Sequence, residues 1–416
     1  LRVEPIQGAR EQSLCVDLSL LSAEGHLVAV LEGLHLKRAS REQLQGHSSE
    51  PHADWLYAVE WLAQNPEDPH AGPDYWPDAG EIGGTILPSL ARDLALPPEA
   101  ARYGAFFEDI EDAAVDYIVA AFRRLGWEFP SGQRISTDAL AARFGVIDRQ
   151  RRLFERLLGI LGDVGMLVRR SDSEWEVASL ANHGDGADGG ARLFREYPEA
   201  AAELTLLQRC GERLADVLRG ECDPLGLLFP EGEPVTAANL YGDSPGARAA
   251  NGTVRRLVRS LLERLPEDRR VRILEIGAGT GGTTSHLLDE LPAERTDYVF
   301  TDISPLFVHR AAEKFSAYPF LRFSVLDIEE PPVGHGFEPG GYDLVVAANV
   351  LHATRDLRRS LHHVRELLAP GGLLVLLEGT APLRFIDLIF GLTEGWWHFA
   401  DPDLRPAHPL LSAERW

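Results

Sequence analysis

The chain has 416 residues, 44% of them hydrophobic, and a formal net charge of −23 from 64 acidic against 41 basic residues. That length can bury a sizeable core in two or three domains, and the apolar share excludes a disordered chain. So acidic a balance argues against a nucleic-acid partner, and no apolar run reaches the ~20 residues of a membrane span. Cys15, Cys210 and Cys222 lack any CxxC spacing, which fits a reducing, cytoplasmic setting and carries no metal signature. No signal peptide is visible. The missing starting Met and the abrupt end at "LLSAERW" lead us to expect a piece of something longer.

Residues 13–38 alternate apolar and polar positions on either side of "AEGH", which predicts two strands around a turn. A lone hairpin is marginal in water, so the pair is expected to belong to a larger sheet. From about residue 41 to 80 the composition shifts to His, Pro, Asp and Gly, the mark of a linker, with "ADWLYAVEWLAQ" as one docked segment. Residues 81–235 are predicted mainly helical. "EDAAVDYIVAAFRRLGW" sets Ala113, Tyr117, Ala120 and Ala121 near helical spacing, and "TDALAARFGV" opens on the cap candidate Thr137. "RRLFERLLGILGDVGMLVRRS" then runs into the strand-like "SEWEVAS". Helix, helix and short hairpin together resemble a winged helix. "ANHGDGADGGARL" predicts a flexible loop, and "AAELTLLQRCGERLADVLRG" a further helical pair.

From residue 271 strands and helices alternate. "VRILEIG", "TDYVFTDIS", "FLRFSVLDIE", "YDLVVAANVL" and "GLLVLLEGT" predict five strands, with helices at "GGTTSHLLDEL", 305–316 and 356–368. Such alternation implies a parallel sheet covered on both faces. His362 and His363, on the last helix, are expected to be solvated.

"LEIGAGTGGTT" places Gly277, Gly279 and Gly281 directly after the first of these strands, where glycine permits a tight turn and close approach of a ligand. Glu275 stands two residues before the first glycine. Asp302 ends the second strand, where a carboxylate can take both ribose hydroxyls, and Asp327 with Ile328 ends the third, within reach of an adenine amino group. So acidic a rim repels a pyrophosphate and suits a cationic ligand. It therefore favours S-adenosylmethionine over a nicotinamide dinucleotide.

This part of the chain is similar to the class I S-adenosylmethionine-dependent methyltransferases, with a Rossmann-like α/β core. The series "LEIGAGTGGTTSHLL", "YVFTDIS", "LDIEEPP", "AANVLHAT", "APGGLLVLLEGT" and "FGLTEGWWHFADPDLRPAHPLL" resembles the C-methyltransferase domain of type I polyketide synthases. "FGLTEGWW" is the most specific of these. Residues 1–40 resemble the final strands of a polyketide synthase dehydratase, a double hot-dog fold. The expected organisation is thus a dehydratase end at 1–40, a linker at 41–80, a helical lid subdomain at 81–235 and a methyltransferase core at 236–416.

The resemblance implies methyl transfer to the α-carbon of a β-ketoacyl chain, held by phosphopantetheine on an acyl carrier protein among neighbouring synthase domains, with S-adenosylhomocysteine as by-product. Removing the α-proton calls for a base titrating near neutral pH and a carboxylate to orient it. His352, just past the fourth strand, and Glu378, at the end of the fifth, occupy the family's dyad positions. Asn349 is a candidate donor to substrate or cofactor, or caps its turn. Tyr241 is expected to reach over the cofactor, and Phe390, Leu392, Trp396 and Trp397 to wall a substrate tunnel. No metal is required. The same histidine would serve an O-methyltransferase, and an inactive scaffold domain is the non-enzymatic alternative. The family's sheet has seven strands. Five are counted up to Glu378, so the last pair is expected either in the irregular tail or outside this chain.

Overall fold

The computed structural model describes residues 2–5, 13–21, 27–37, 75–86, 88, 98–178, 187–230 and 232–416. The chain divides into two compact units, Leu1–Pro66 and Glu67–Trp416. In the first, β1 (Arg2–Pro5), β2 (Ser13–Leu21) and β3 (Leu27–Lys37) form an antiparallel sheet in that order. The two predicted strands are therefore present. The turn at 23–26 and the segment "ADWLYAVEWLAQ" lie outside the described residues.

The second unit begins with helices. α1 (Pro98–Arg124) leads to β4 (Arg134–Ser136), α2 (Thr137–Phe144) and α3 (Arg151–Asp163), then to β5 (Leu167–Arg169) and β6 (Glu174–Val177). The three short strands form an antiparallel sheet in the order β4-β6-β5, a winged-helix arrangement as the sequence suggests. The cap of α2 is Ser136 and not Thr137: the Ser136 hydroxyl accepts the Ala139 N–H, while the Thr137 hydroxyl accepts the Trp175 indole N–H at 3.0 Å.

Residues 187–193, predicted as part of a loop, belong to helix α4 (Ala187–Glu196). Burial of Leu193 outweighs the poor helix propensity of Gly189 and Gly190. Helix α5 (Ala201–Glu212) follows, then α6 (Ala237–Gly242) and α7 (Pro245–Leu262).

The parallel sheet consists of β7 (Val271–Ile276), β8 (Thr296–Asp302), β9 (Leu321–Val325), β10 (Tyr342–Ala348) and β11 (Leu368–Leu377), in the order β11-β10-β7-β8-β9. Between them run α8 (Gly282–Leu287), α9 (Pro305–Lys314) and α10 (Leu357–Leu367). The sheet's two faces each bury their own apolar cluster. One holds Val254, Val258 and Leu261 of α7, the other Leu357, Val364 and Leu367 of α10. A sheet sandwiched in this way explains its near-continuous Val/Ile/Leu strands.

No strand follows Glu378 among the described residues. Instead α11 (Arg384–Ile389) carries the chain to the helical subdomain, where Phe385, Leu388, Leu392, Trp397 and Phe399 join the core formed by α1, α3 and α5. The Gln150 amide donates to the Leu392 carbonyl at 3.0 Å, and Arg156 on α3 pairs with the fully buried Asp387 at 2.8 Å. His363 is also buried, against the solvated expectation, because its Nδ1 meets the Ile328 carbonyl at 2.7 Å; His362 lies exposed beside Glu366.

Candidate active site

The sheet order reverses between β7 and β10, which are neighbours, so the connections leaving their carboxyl ends diverge and open a crevice there. A cavity of about 520 Å³ occupies it. Its floor is made by Gly277, Gly279, Asn349, His352 and Glu378; its roof comes from the lid with Tyr103, Phe107, Glu203 and Tyr241, and from Phe390 and Trp396 of the tail. Among the described residues no Lys or Arg lines it.

The glycine turn has reasons at two positions. At Gly277, with φ +59°, an added Cβ would strike Val350 Cγ2 at 2.1 Å, so only glycine lets the β7 and β10 loops pack together. At Gly279, with φ +56°, an added Cβ would meet nothing closer than the Gly277 carbonyl at 3.9 Å. The backbone there is open to a ligand. The Gly279 N–H donates to Asp302 Oδ2 at 2.9 Å, and the Ser304 N–H to Oδ1 at 2.8 Å. Burial pushes the Asp302 carboxyl up, against the pull of these two amides.

Glu378 and His352 meet at the mouth of β10 and β11. Glu378 Oε2 lies 2.5 Å from His352 Nδ1, while its Oε1 accepts the N–H groups of Val350 at 3.0 Å, Leu351 at 2.7 Å and His352 at 3.3 Å. A carboxylate holding Nδ1 leaves Nε2 as the ring nitrogen available to the cavity. Trp396 sets the ring edge-to-face, with centroids 5.2 Å apart, and its own indole N–H reaches Asp387. Asn349 takes a left-handed backbone, φ +51°, which Asn tolerates better than most residues, and its N–H donates to the Leu377 carbonyl at 2.7 Å.

Beneath the turn, fully buried Arg405 pairs with Asp401 at 2.6 Å. It also donates to the carbonyls of His352 at 2.7 Å and Thr354 at 2.8 Å, clamping the backbone that presents the imidazole.

The sequence-predicted residues do not all converge. Gly277, Gly279, Asn349, His352, Glu378, Tyr241, Phe390 and Trp396 line the cavity. The Tyr241 ring packs tilted against Phe390, centroids 5.4 Å apart, and its phenol is pushed up by burial and the Glu378 charge. Gly281 packs against Phe315, and Leu392 and Trp397 are claimed by the lid core, where Trp397 donates to the Gly391 carbonyl at 2.7 Å. Glu275 points away from the cavity. It accepts from Thr284 and Tyr298, each at 2.6 Å, and burial raises it to about 7 against those two hydrogen bonds. Its place on the pleat turns it into the sheet's core face. Asp327 accepts the Glu329 N–H in its own turn at 2.9 Å, and Ile328 is buried beside it; Asp302 lies next to the turn, and none of the three is a cavity wall.

Sequence reasoning missed Tyr103, Phe107, Glu203 and Arg405, for which no local signal exists. Cys210 is buried and Cys222 half-buried, both free thiols; among the described residues no cluster of three potential metal ligands occurs, and no helix is long and apolar enough to cross a membrane.

Residues 274–374 match the family model described as a methyltransferase domain. The non-reducing polyketide synthase mapC of Penicillium roqueforti (strain FM164) is 37% identical over 314 residues, covering 72% of this chain and 12% of that protein. The chain thus spans about an eighth of the length of the curated relatives it matches. Among solved structures, the CurJ carbon methyltransferase is 46% identical with a TM-score of 0.76, covering 81% of this chain and 89% of that one. The CMeT domain of the citrinin polyketide synthase is 30% identical with a TM-score of 0.67, covering 74% and 81%.

Proposed function

The chain belongs to the S-adenosylmethionine-dependent carbon methyltransferase domains of polyketide synthases, and from that premise we propose that it methylates the α-carbon of a β-ketoacyl chain tethered to an acyl carrier protein by phosphopantetheine. The single observation that carries this reading is the buried His352–Glu378 pair in one cavity with the open glycine turn. The residues present fit the cofactor. Gly279 leaves its backbone open, and Asp302 beside the turn is a carboxylate that would repel a phosphate. Gly277, Gly279 and Asn349 would hold it, and Asp302, bonded to the Gly279 N–H, would face its nucleoside side.

When bound, S-adenosylmethionine supplies an electrophilic methyl group on a positively charged sulfur. The rest falls to the chain's own residues. His352 Nε2 takes the proton from the carbon between ketone and thioester, which leaves that carbon nucleophilic as the enolate. Glu378 accepts the Nδ1 hydrogen throughout, fixing the tautomer and stabilising the imidazolium that forms. Phe390, Trp396 and Tyr241 exclude water and confine the acyl chain near the base, so that orientation lowers the barrier. Neighbouring synthase domains would deliver and remove the carrier protein in a cytoplasmic assembly.

The test loads a carrier protein with a β-ketoacyl chain, adds this protein and S-adenosylmethionine, and locates the added methyl by fragmentation in a mass spectrometer. A methyl on the α-carbon is expected; a methyl on oxygen overturns the reading. In the absence of the cofactor, His352-dependent exchange of the α-proton with deuterated water is expected as well.

A further inference from the structure

The cavity holds a second buried carboxyl that the chemistry above does not use. Glu203 lies in the first turn of α5, 1% exposed, and lines the same cavity from the lid side. Its Oε1 accepts the Tyr103 hydroxyl at 3.0 Å, and that hydroxyl in turn accepts the Gly246 N–H at 3.0 Å. Its Oε2 has no hydrogen-bond partner among the described residues. The Ser244 hydroxyl, close to Glu203 on this wall, donates to the Leu240 carbonyl, and the Arg248 guanidinium, whose charge also reaches Glu203, donates to the Asp243 carbonyl. A buried polar atom left unpaired is costly, and a ligand oxygen that bonds it would remove that cost. Around it the wall is apolar: Tyr103 packs edge-on against Phe107, and Phe107 against Phe385.

Resting on the reading of the site as an acyl-chain pocket, we infer that Glu203, oriented by Tyr103, is a specificity-determining residue that hydrogen-bonds a keto or hydroxyl oxygen of the acyl chain beyond the reacting β-ketoacyl unit. Polyketide chains carry oxygen on alternate carbons, so a single polar group in an apolar wall reads whether one such oxygen has been kept. Burial raises the carboxyl from its ordinary value, against the pull of the Tyr103 and Ser244 hydroxyls and the Arg248 charge, and in its protonated form Oε2 would donate to such an oxygen. The cofactor's ammonium group would compete for the same oxygen, so affinity for S-adenosylhomocysteine is part of the test.

The test compares two β-ketoacyl pantetheine thioesters of equal length, one with and one without a further oxygen, on the wild type, Glu203→Gln and Glu203→Leu. Binding is read by calorimetry and transfer by kcat/KM; affinity for S-adenosylhomocysteine is read separately. The wild type is expected to prefer the oxygenated chain about tenfold, the worth of one hydrogen bond. E203L erases that preference, E203Q keeps part of it, and both bind S-adenosylhomocysteine as the wild type does. Equal losses on the two chains, no wild-type preference, or loss of S-adenosylhomocysteine binding in either variant overturns the inference. Because preference is read in binding, a chain that binds selectively but is never methylated at carbon refutes the proposed reaction and leaves Glu203 standing.

Discussion

Two buried glutamates face one cavity from opposite sides, and their surroundings differ in kind. Glu378, on the sheet side, accepts three backbone N–H groups and an imidazole. Glu203, on the lid side, accepts one phenol and leaves an oxygen bare. A carboxylate with every contact internal is held still and can orient a base. A carboxyl with a spare oxygen is completed only by a ligand. The sheet side is therefore built for a fixed chemical step, and the lid side for discriminating what enters.

Four substitutions, at or beneath the dyad and the glycine turn, break or sharpen this contrast. The largest effect is expected for His352→Ala, which should lower transfer by about 10²–10⁴-fold while leaving S-adenosylhomocysteine affinity intact by calorimetry. Weakened cofactor binding would make the histidine structural and dissolve the contrast.

Arg405→Met leaves Asp401 buried without its cation and should cost about 3–5 kcal/mol of stability in urea denaturation. The carbonyls of His352 and Thr354 lose their donors as well. Unchanged stability would show that the clamp is not what holds the turn.

Glu378→Gln is nearly isosteric but removes the charge, and a charge-assisted hydrogen bond is worth about 1.5–3 kcal/mol, so kcat should fall roughly 10- to 150-fold with KM little changed. A KM effect in place of a kcat effect would move Glu378 from the chemistry to the binding side.

The smallest effect belongs to Glu275→Gln. Burial raises Glu275 to about 7, above its unfolded value. Its folded state therefore holds a proton that the unfolded state has lost between about pH 4.5 and 7, and stability from this group falls as pH rises through that window, by at most about 1.4 kcal/mol per unit. The variant should flatten that slope in urea midpoints measured across the window. An unchanged slope would mean that the carboxyl ionises normally beneath the turn.

Much of the sheet side was legible before the structure. "LEIGAGTGG" and "AANVLHAT" are short, and their residues stay close in space because each spans a single strand end. The dyad required only that β10 and β11 be adjacent, which parallel pairing supplies. Glu275 was misread because strand pleating decides which way a side chain points, and a one-residue difference of face separates the cavity from the core. Leu392 and Trp397 sit in a motif that marks the family, yet they serve the lid core.

The lid side was not legible. Glu203 in "AAEL" is indistinguishable in sequence from any acidic residue stabilising a helix N-terminus, and Arg405 in a Pro-rich tail from any solvated arginine. The alternation of strands and helices and the glycine turn follow from local pattern, whereas the His–Glu pair, 26 positions apart, was legible through the family resemblance and the pairing of β10 with β11. Burial of Glu203, the clamp of Arg405 and the path of the tail into the lid arise between residues as far as 274 positions apart, as where the Phe385 N–H donates to Glu111. Only packing brings such groups together, so tertiary structure alone decided which carboxyl was satisfied and which was left waiting.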